Sequence, residues 1–376
     1  MIQHRKYFSF LDSVRGLAAV SVVNEHFVIA YGLPCKAALC SQWLDNSPLH
    51  IWWDGTAAVS MFFVLSGFVL SINYVDTNFS VYTFKLVDYF LKRVCRIVLP
   101  YLAVLLVSAC AYKIIISQPL LITTLAATDW INLMWRGHPL TAFAMLREAF
   151  IFVPPTELVL VPQSWTLAIE LVMSLLLPVG LLFLENSLAW LVFFTCFAVL
   201  FLNVSLFLVH FLLGILLARY HQKIIQWLKK SAWVRYSVFI TALFFYTITD
   251  SFAALLNDPV IWLTTALGST MLLSCCLSSE KMQNILGHAS LKFVGQVSYS
   301  LYLIHMLVLI CITPFMLQLI ELIIDERAVV WLCGWISTLL VSLFLANYLY
   351  QWIEKPSINF AKHLIYFKDT HCALLK

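Results

Sequence analysis

The chain has 376 residues, of which 62% are hydrophobic and only 11% are charged, and its net charge is +4. A soluble domain carries about 25% charged residues, so this composition excludes a soluble globular protein. The small basic excess gives no basis for nucleic-acid binding. The composition therefore predicts an all-α polytopic membrane protein.

Ten apolar segments approach or exceed the length of about 20 residues that a helix needs to cross a bilayer. They lie near residues 10–32, 55–74, 97–117, 163–184, 187–203, 205–221, 235–250, 259–278, 295–319 and 328–352. We expect the first segment to be retained, because no small-residue cleavage site of a signal peptide follows it. A further run at 119–135 begins at Pro119 and carries Asp129, so we predict an interfacial or re-entrant helix there.

Ten spans would place both termini on the same side of the membrane. Seventeen Lys and Arg residues then lie on the terminal side and five on the opposite side, with Arg15 inside a helix. The positive-inside rule therefore predicts cytoplasmic termini. We predict a membrane domain over 1–357, a lid-like external loop at 118–162 within it, and a short cytoplasmic tail at 358–376.

The first predicted span carries two ionisable side chains, Arg15 and His26, which are eleven residues apart. Eleven helical steps of about 100° bring both onto one face. Ionisable groups inside lipid are costly and mark functional sites. The alternative is a local Asp12–Arg15 pair with His26 as a satisfied polar residue. Glu25 adds an acid that points about 100° away from His26.

Two further groups of charges lie at other span entrances. Arg93 and Arg96 share a helix face at the start of the third span, where they could clamp phosphates or simply anchor the helix. Glu170 lies about 10 Å into the fourth span by helix rise. An acid at that depth must be paired, protonated or facing a cavity, and we favour a functional role.

Three other features admit structural explanations. Ser66 and the adjacent Gly67 are small enough to let another helix backbone come close. Tyr302 and His305 share a helix face, and a structural hydrogen bond between them explains the pair. The ten cysteines form no C-x-x-C motif, so metal and redox chemistry have little support, and Cys35 and Cys40 could be either a disulfide or free thiols.

Six segments, taken in order, resemble the motifs of acyltransferase family 3, the integral-membrane acyltransferases that O-acetylate surface polysaccharides. They are Leu11-Asp12 with Arg15-Gly16 and His26; Phe62 to Phe68; Arg93-Val94-Cys95-Arg96 with Pro100; Ser164-Trp165-Thr166-Leu167 with Glu170; Tyr299 to Tyr302 with His305; and Ile353-Glu354-Lys355-Pro356. The resemblance covers residues 10 to about 357. Asn24 and Glu25 depart from it, because the family usually shows more hydrophobic residues just before the histidine.

The resemblance implies transfer of an acyl group from cytoplasmic acyl-CoA to a hydroxyl of a cell-envelope or lipid-linked glycan. Acetyl is the acyl group that we expect. His26 would be the general base. Glu170 would orient the acceptor or the imidazole, and Arg93 and Arg96 would hold CoA phosphates with Arg15 assisting. Supporting positions would be Asp12, Glu25, Ser66, Trp165, Tyr302 and His305.

The resemblance also sets expectations for partners and place. The thioester supplies the chemical drive, so we expect no metal and no bound cofactor, with acetyl-CoA or another acyl-CoA as co-substrate. The partners would be the acyl-CoA, a carbohydrate or lipid-linked glycan acceptor and the lipid bilayer, with no nucleic acid. The expected location is the bacterial inner membrane, as a multi-pass protein.

Two alternatives to an enzyme remain at this level. A glycan or lipid transporter or flippase would also carry charged residues in mid-membrane, although the chain has no internal repeat of the kind many transporters show. A non-catalytic membrane partner in glycan assembly is the other. For the enzyme itself, direct transfer and an acyl-enzyme on His26 or a serine both fit.

Overall fold

The computed structural model describes residues 8–34, 47–75, 85–116, 125, 127–135, 140–151, 160–201, 205–247 and 257–374. Within these ranges the chain forms helices and short connections, and no β-strand, which confirms the all-α prediction. Cys35 and Cys40 lie outside the described residues, and so do Pro119 and the rest of the predicted 119–135 run up to residue 126, apart from Leu125.

The helices follow one another with short connections. They are α1 Phe10–Tyr31, α2 Gly55–Ser71, α3 Leu86–Ile115, α4 Asp129–Leu133, α5 Ala142–Ala149, α6 Ser164–Asn186, α7 Leu188–Phe201, α8 Phe207–Lys229, α9 Ala232–Tyr246, α10 Asp258–Ser278, α11 Glu280–Leu286, α12 Ala289–Gln296, α13 Ser298–Cys311, α14 Thr313–Glu321, α15 Arg327–Leu349 and α16 Lys355–Leu374. A 3₁₀ turn at Pro48–Trp52 precedes α2, and a π-helical turn at Tyr350–Glu354 joins α15 to α16.

Several helices are long and apolar enough to cross a membrane. Within the described residues four qualify by length and composition, and a fifth is added if α12 and α13, bent by 69°, count as one broken span. The four are Leu86–Ile115, Ser164–Leu184, Asp258–Ser278 and Arg327–Lys368. The chain is thus a multi-pass membrane protein, while the ten-span count and the cytoplasmic termini stay predictions.

Two predicted segments differ in detail from the structure. The apolar run 295–319 is divided between α13 and α14, because the chain breaks its helix at Ile312 and restarts with Pro314 in the first turn. Proline has no N–H to donate and is suited to a helix start. The tail predicted from residue 358 is helical, since α16 continues α15 through the π turn as far as Leu374.

The chain divides into two compact units. The first consists of Met1–Ser21, Trp43–Leu86 and Val172–Gln296, and the second of Val22–Gln42, Val87–Leu171 and Val297–Lys376. Helices α1 and α6 each contribute a part to both.

In the first unit, α2 packs on α8 and α10, and α10 packs on α9. The contact of α2 with α8 is made by two glycines. A Cβ on Gly67 would lie 2.3 Å from the Phe211 carbonyl oxygen, and one on Gly214 would lie 2.1 Å from the Val64 carbonyl oxygen. This confirms that the Ser66-Gly67 pair allows close backbone approach.

Polar side chains are also buried between these helices. His210 Nε2 lies 3.2 Å from Ser60 Oγ, which lies 2.8 Å from Thr265 Oγ1. All three residues are fully buried. Because hydroxyls and imidazole can satisfy one another, the arrangement ties α2, α8 and α10 together without exposing a polar group to lipid.

In the second unit, α13 and α14 pack on α15 around an apolar cluster. The cluster comprises Phe27, Ala30, Tyr31, Leu125, Ile131, Met306, Leu309, Leu317 and Val330. Two tryptophans of α15 fasten the end of α1 to it: Trp331 Nε1 donates to the Gly32 carbonyl at 2.7 Å, and Trp335 Nε1 donates to Asn24 Oδ1 at 2.8 Å. The departure at Asn24 thus has a structural partner.

Candidate functional site

The second unit contains a pair of histidines in direct contact. Nδ1 of His26, near the end of α1, lies 3.0 Å from Nε2 of His305 on α13. Nδ1 of His305 lies 2.8 Å from the Tyr302 carbonyl oxygen, one helical turn earlier. His305 is 1% exposed, whereas His26 is partly exposed. The pair therefore forms a chain that runs from a buried backbone carbonyl to a residue that is partly exposed.

The direction of this chain follows from its fixed end. A carbonyl can only accept, so Nδ1 of His305 carries the hydrogen, and in a neutral ring Nε2 is then an acceptor. Nδ1 of His26 must donate to it, which leaves Nε2 of a neutral His26 with its lone pair.

A tryptophan of the predicted loop 118–162 stacks on His26. The Trp130 ring on α4 is nearly parallel to the imidazole, with an interplanar angle of 7° and centroids 5.7 Å apart. Thr128, just before α4, donates its backbone N–H to the Ala30 carbonyl and its hydroxyl to the Ile29 carbonyl, each at 2.9 Å. These bonds hold α4 against the end of α1, so one part of the predicted loop 118–162 lies on the histidine.

The first turn of α6 is bound to α13 beside the histidines. Gln163 Nε2 donates to the carbonyls of Tyr302 and Leu303 at 3.0 and 2.8 Å. Thr166 Oγ1 and the Tyr302 hydroxyl are 2.7 Å apart. The Tyr302–His305 hydrogen bond that the sequence predicts is present and uses the Tyr302 carbonyl, while the phenol is bonded to Thr166.

One turn along α6, Glu170 pairs with an arginine of α3. Arg93 Nη2 lies 3.1 Å from Glu170 Oε1, and Arg93 is 8% exposed. The Nε of Arg93 is buried and has no hydrogen-bond partner among the described residues. Arg93 and Glu170, which the sequence predicts separately, are thus in contact. The Arg93 guanidinium still has its Nε–H available as a donor.

A second buried acid lies near this ion pair. Glu354, in the π turn that ends α15, is 2% exposed and accepts a hydrogen bond of 2.6 Å from the Ser300 hydroxyl. Tyr299 donates its hydroxyl to the Ile97 carbonyl of α3 and lies within electrostatic range of Glu354, Glu170 and both arginines, Arg93 and Arg96. Positive and negative charges are therefore concentrated where α3, α6, α13 and the π turn meet.

The remaining predicted site residues are placed differently. Asp12, Arg15 and Ser66 belong to the first unit, where Arg15 Nη1 contacts Asp12 Oδ1 at 3.2 Å as in the local-pair alternative. The Trp165 side chain is 44% exposed on α6. Glu25 lies within electrostatic range of Tyr302. The second unit thus brings together His26, His305, Tyr302, Glu170, Arg93 and Arg96.

A buried acid on α5, outside the candidate spans, bonds to another residue of the predicted loop 118–162 and to α3. Both oxygens of Glu148, on α5, accept from the Leu160 N–H at 2.8 and 2.9 Å, and Tyr101 donates its hydroxyl to the Glu148 carbonyl at 2.6 Å. Burial raises the pKa of the Glu148 carboxyl from its ordinary value of 4.5 to about 7, although N–H groups of Leu160 and Val161 counteract this. Glu148, which precedes residues 152–159, is thus bonded to Leu160, which follows them.

Three of these residues have no site role predicted from the sequence, although Glu354 stands in one of the six segments that carry the family resemblance. From the sequence, Trp130 is expected to lie in the lipid headgroup region, as many tryptophans of membrane proteins do. Only its contact with His26 gives it a place in the site. Glu148 carries no motif. Glu354 had a usable signal, since an acid at the end of an apolar span needs a partner. Within the described residues, no three His, Cys, Asp or Glu side chains come together in a way that could hold a metal ion.

Comparison with protein families identifies the family of the chain. The model of an acyltransferase domain matches residues 8–347, nearly the whole chain. The protein is therefore a membrane-embedded transferase of acyl groups, and the chain belongs to acyltransferase family 3. Comparison with curated proteins and with solved structures gives no match.

Proposed function

We propose that this protein transfers an acyl group, in the first place acetyl, from acyl-CoA to a hydroxyl of a cell-envelope glycan, with His26 as the general base. The observation that carries the proposal is the chain from the Tyr302 carbonyl through His305 to His26. It leaves the imidazole Nε2 of a partly exposed residue free to accept a hydroxyl proton, which is the arrangement a general base needs.

The acyl transfer needs no proton carrier other than His26. The acceptor hydroxyl gives its proton to His26 Nε2 as its oxygen attacks the thioester carbonyl. The carbon–sulfur bond then breaks, and the CoA thiolate leaves and takes the proton back from the imidazolium. His305 keeps the ring oriented throughout, because its Nε2 accepts from His26 Nδ1 in every state.

The donor side of the proposal rests on the arginines. A guanidinium presents five donors in a planar fork that matches phosphate oxygens. The buried Nε of Arg93 has no partner among the described residues, which supports Arg93, with Arg96, as the holder of CoA phosphates. Arg15 would assist from α1. Inner-membrane location and cytoplasmic acyl-CoA are part of the same proposal.

The test compares envelope glycans from cells that make the wild type, His26→Ala, His288→Ala or no protein. His288 is exposed on the surface and serves as the matched histidine control. We expect a base-labile acetyl increment, seen by mass spectrometry of released sugars, with the wild type and His288→Ala only. If His26→Ala, made at normal level, gives the wild-type spectrum, the general-base role is wrong. Identical spectra in all four would favour a glycan or lipid transporter.

A further inference from the structure

The ion pair between Arg93 and Glu170 joins two residues whose proposed tasks differ. Arg93 would bind a donor phosphate, and Glu170 would act on the acceptor, yet the structure has them 3.1 Å apart. A buried ion pair is weak support for stability, because desolvation offsets much of its attraction. The contact therefore calls for an explanation in terms of what each group binds next.

The arginine can hold more than this one carboxylate oxygen. Only Nη2 of Arg93 reaches Glu170, while its buried Nε has no partner among the described residues. A phosphate offers several oxygens with more negative charge, so it can take two donors of the fork at once. Phosphate is thus a better partner for Arg93 than Glu170 is.

The carboxylate is also linked to the histidine chain, through Tyr302. Glu170 is within electrostatic range of Tyr302, and its neighbour on α6, Thr166, is 2.7 Å from the Tyr302 hydroxyl. The carbonyl of that same Tyr302 holds His305. A carboxylate released from Arg93 would therefore remain within electrostatic range of Tyr302, the residue that holds His305.

We propose that Glu170 is an exchangeable partner of Arg93: a donor phosphate takes the arginine, and the released carboxylate then accepts a hydrogen bond from the acceptor hydroxyl. The inference rests on the proposed function and extends it. Donor binding prepares the acceptor site, so the two substrates bind in a compulsory order with the acyl-CoA first. Linkage requires that removing the competing carboxylate tighten phosphate binding.

The first experiment measures CoA affinity of the purified protein in maltoside micelles by isothermal titration. Glu170→Gln should bind CoA roughly tenfold more tightly than wild type, within the usual range of coupling between sites. Glu354→Gln is the matched control: its carboxylate is buried near the same arginines and bonds Ser300, so its affinity should change by less than about threefold. Equal or weaker binding by Glu170→Gln would overturn the exchange.

A lipid phosphate could compete for the same arginine. A second experiment therefore distinguishes the phosphate of CoA from that of a lipid headgroup. CoA titrations are repeated in nanodiscs with and without phosphatidylglycerol. If the lipid abolishes the difference between Glu170→Gln and wild type, the phosphate that exchanges with Glu170 is a headgroup, and the donor-first order is wrong. Failure of wild type to bind CoA in any medium would instead contradict the proposed function itself.

A third measurement needs no variant, so it is independent of how Glu170→Gln folds. A non-reactive analogue of the acceptor should be an uncompetitive inhibitor against acyl-CoA, because it binds only after the donor. Competitive or noncompetitive inhibition, in a wild type that transfers acyl groups, would show that the substrates bind independently and would overturn the exchange while leaving the transferase intact.

Discussion

A buried histidine from each of the two units can be compared, His210 in the first and His305 in the second, and the two differ in where their hydrogen bonds lead. His210 in the first unit bonds Ser60, which bonds Thr265, so its chain ends on hydroxyls inside the helix packing. His305 in the second unit leads to His26, which is partly exposed. A polar chain that closes inside the packing stabilises helices, whereas one that reaches a partly exposed residue can exchange a proton with a substrate.

The largest expected effect comes from the exposed end of the second chain. His26→Ala should lower kcat about 10³-fold without loss of folded protein, since general-base catalysis contributes that order of rate. His210→Ala should do the opposite: the folded fraction transfers acyl groups normally, but stability falls by about 2 kcal/mol as the buried imidazole and its bond to Ser60 are lost. Rates per folded molecule and melting curves in detergent check both. If His210→Ala also lowers kcat per folded molecule, His210 is not a purely structural histidine and the contrast with His26 is wrong.

The next effect concerns packing in the first unit. Gly67→Ala should destabilise the protein by about 3 kcal/mol, because its Cβ would lie 2.3 Å from a backbone oxygen and α2 and α8 would have to separate. Gly180→Ala is the control, since its nearest atoms are side-chain carbons at 3.7 and 3.8 Å. Size-exclusion profiles and melting temperatures distinguish the two. Similar melting temperatures for both variants would contradict the close crossing.

A pH-dependent effect is expected in the second unit. The pKa of Glu148 is about 7 in the folded protein, above its ordinary value of 4.5, so the folded state binds this proton more tightly. Stability therefore falls as pH rises from about 4.5 to 7, by a contribution on the order of 3 kcal/mol. Glu148→Gln should be more stable than wild type at pH 8 and equal to it at pH 4.5. If the melting temperature of Glu148→Gln changes with pH in the same way as that of the wild type, Glu148 is not the source of the pH dependence.

The smallest effect tests the link between the histidines. His305→Ala should lower kcat about tenfold and shift the pH profile of kcat, because the His26 ring loses the acceptor that fixes its tautomer. His305→Gln, whose side-chain oxygen can accept the same hydrogen bond, should restore most of the rate. Equal rates in the two variants would mean that His305 only fills space. The pH profile of His210→Ala should match that of wild type.

The sequence predicted single residues better than it predicted their partners. The span at 259–278 matches Asp258–Ser278, because an uninterrupted apolar run is a local signal. His26, Arg93 and Glu170 could each be singled out because an ionisable side chain in an apolar run is conspicuous. Their contacts could not, since His26 meets a residue 279 positions away and Arg93 one 77 positions away. Pairing at such distances depends on helix packing, which no local pattern reports.

The long terminal helix has a consequence for how the protein can be labelled. Arg327–Lys368 is continuous over 42 residues, or about 63 Å at 1.5 Å per residue, roughly twice the hydrocarbon thickness of a bilayer. At its far end Lys368 Nζ contacts Asp88 Oδ1 at 2.5 Å. A helix of this length works as a rigid spacer, so a fluorophore attached near residue 368 would stand at a fixed height above the lipid. Energy transfer from that dye to labelled lipids would report on which side of the vesicle the helix emerges.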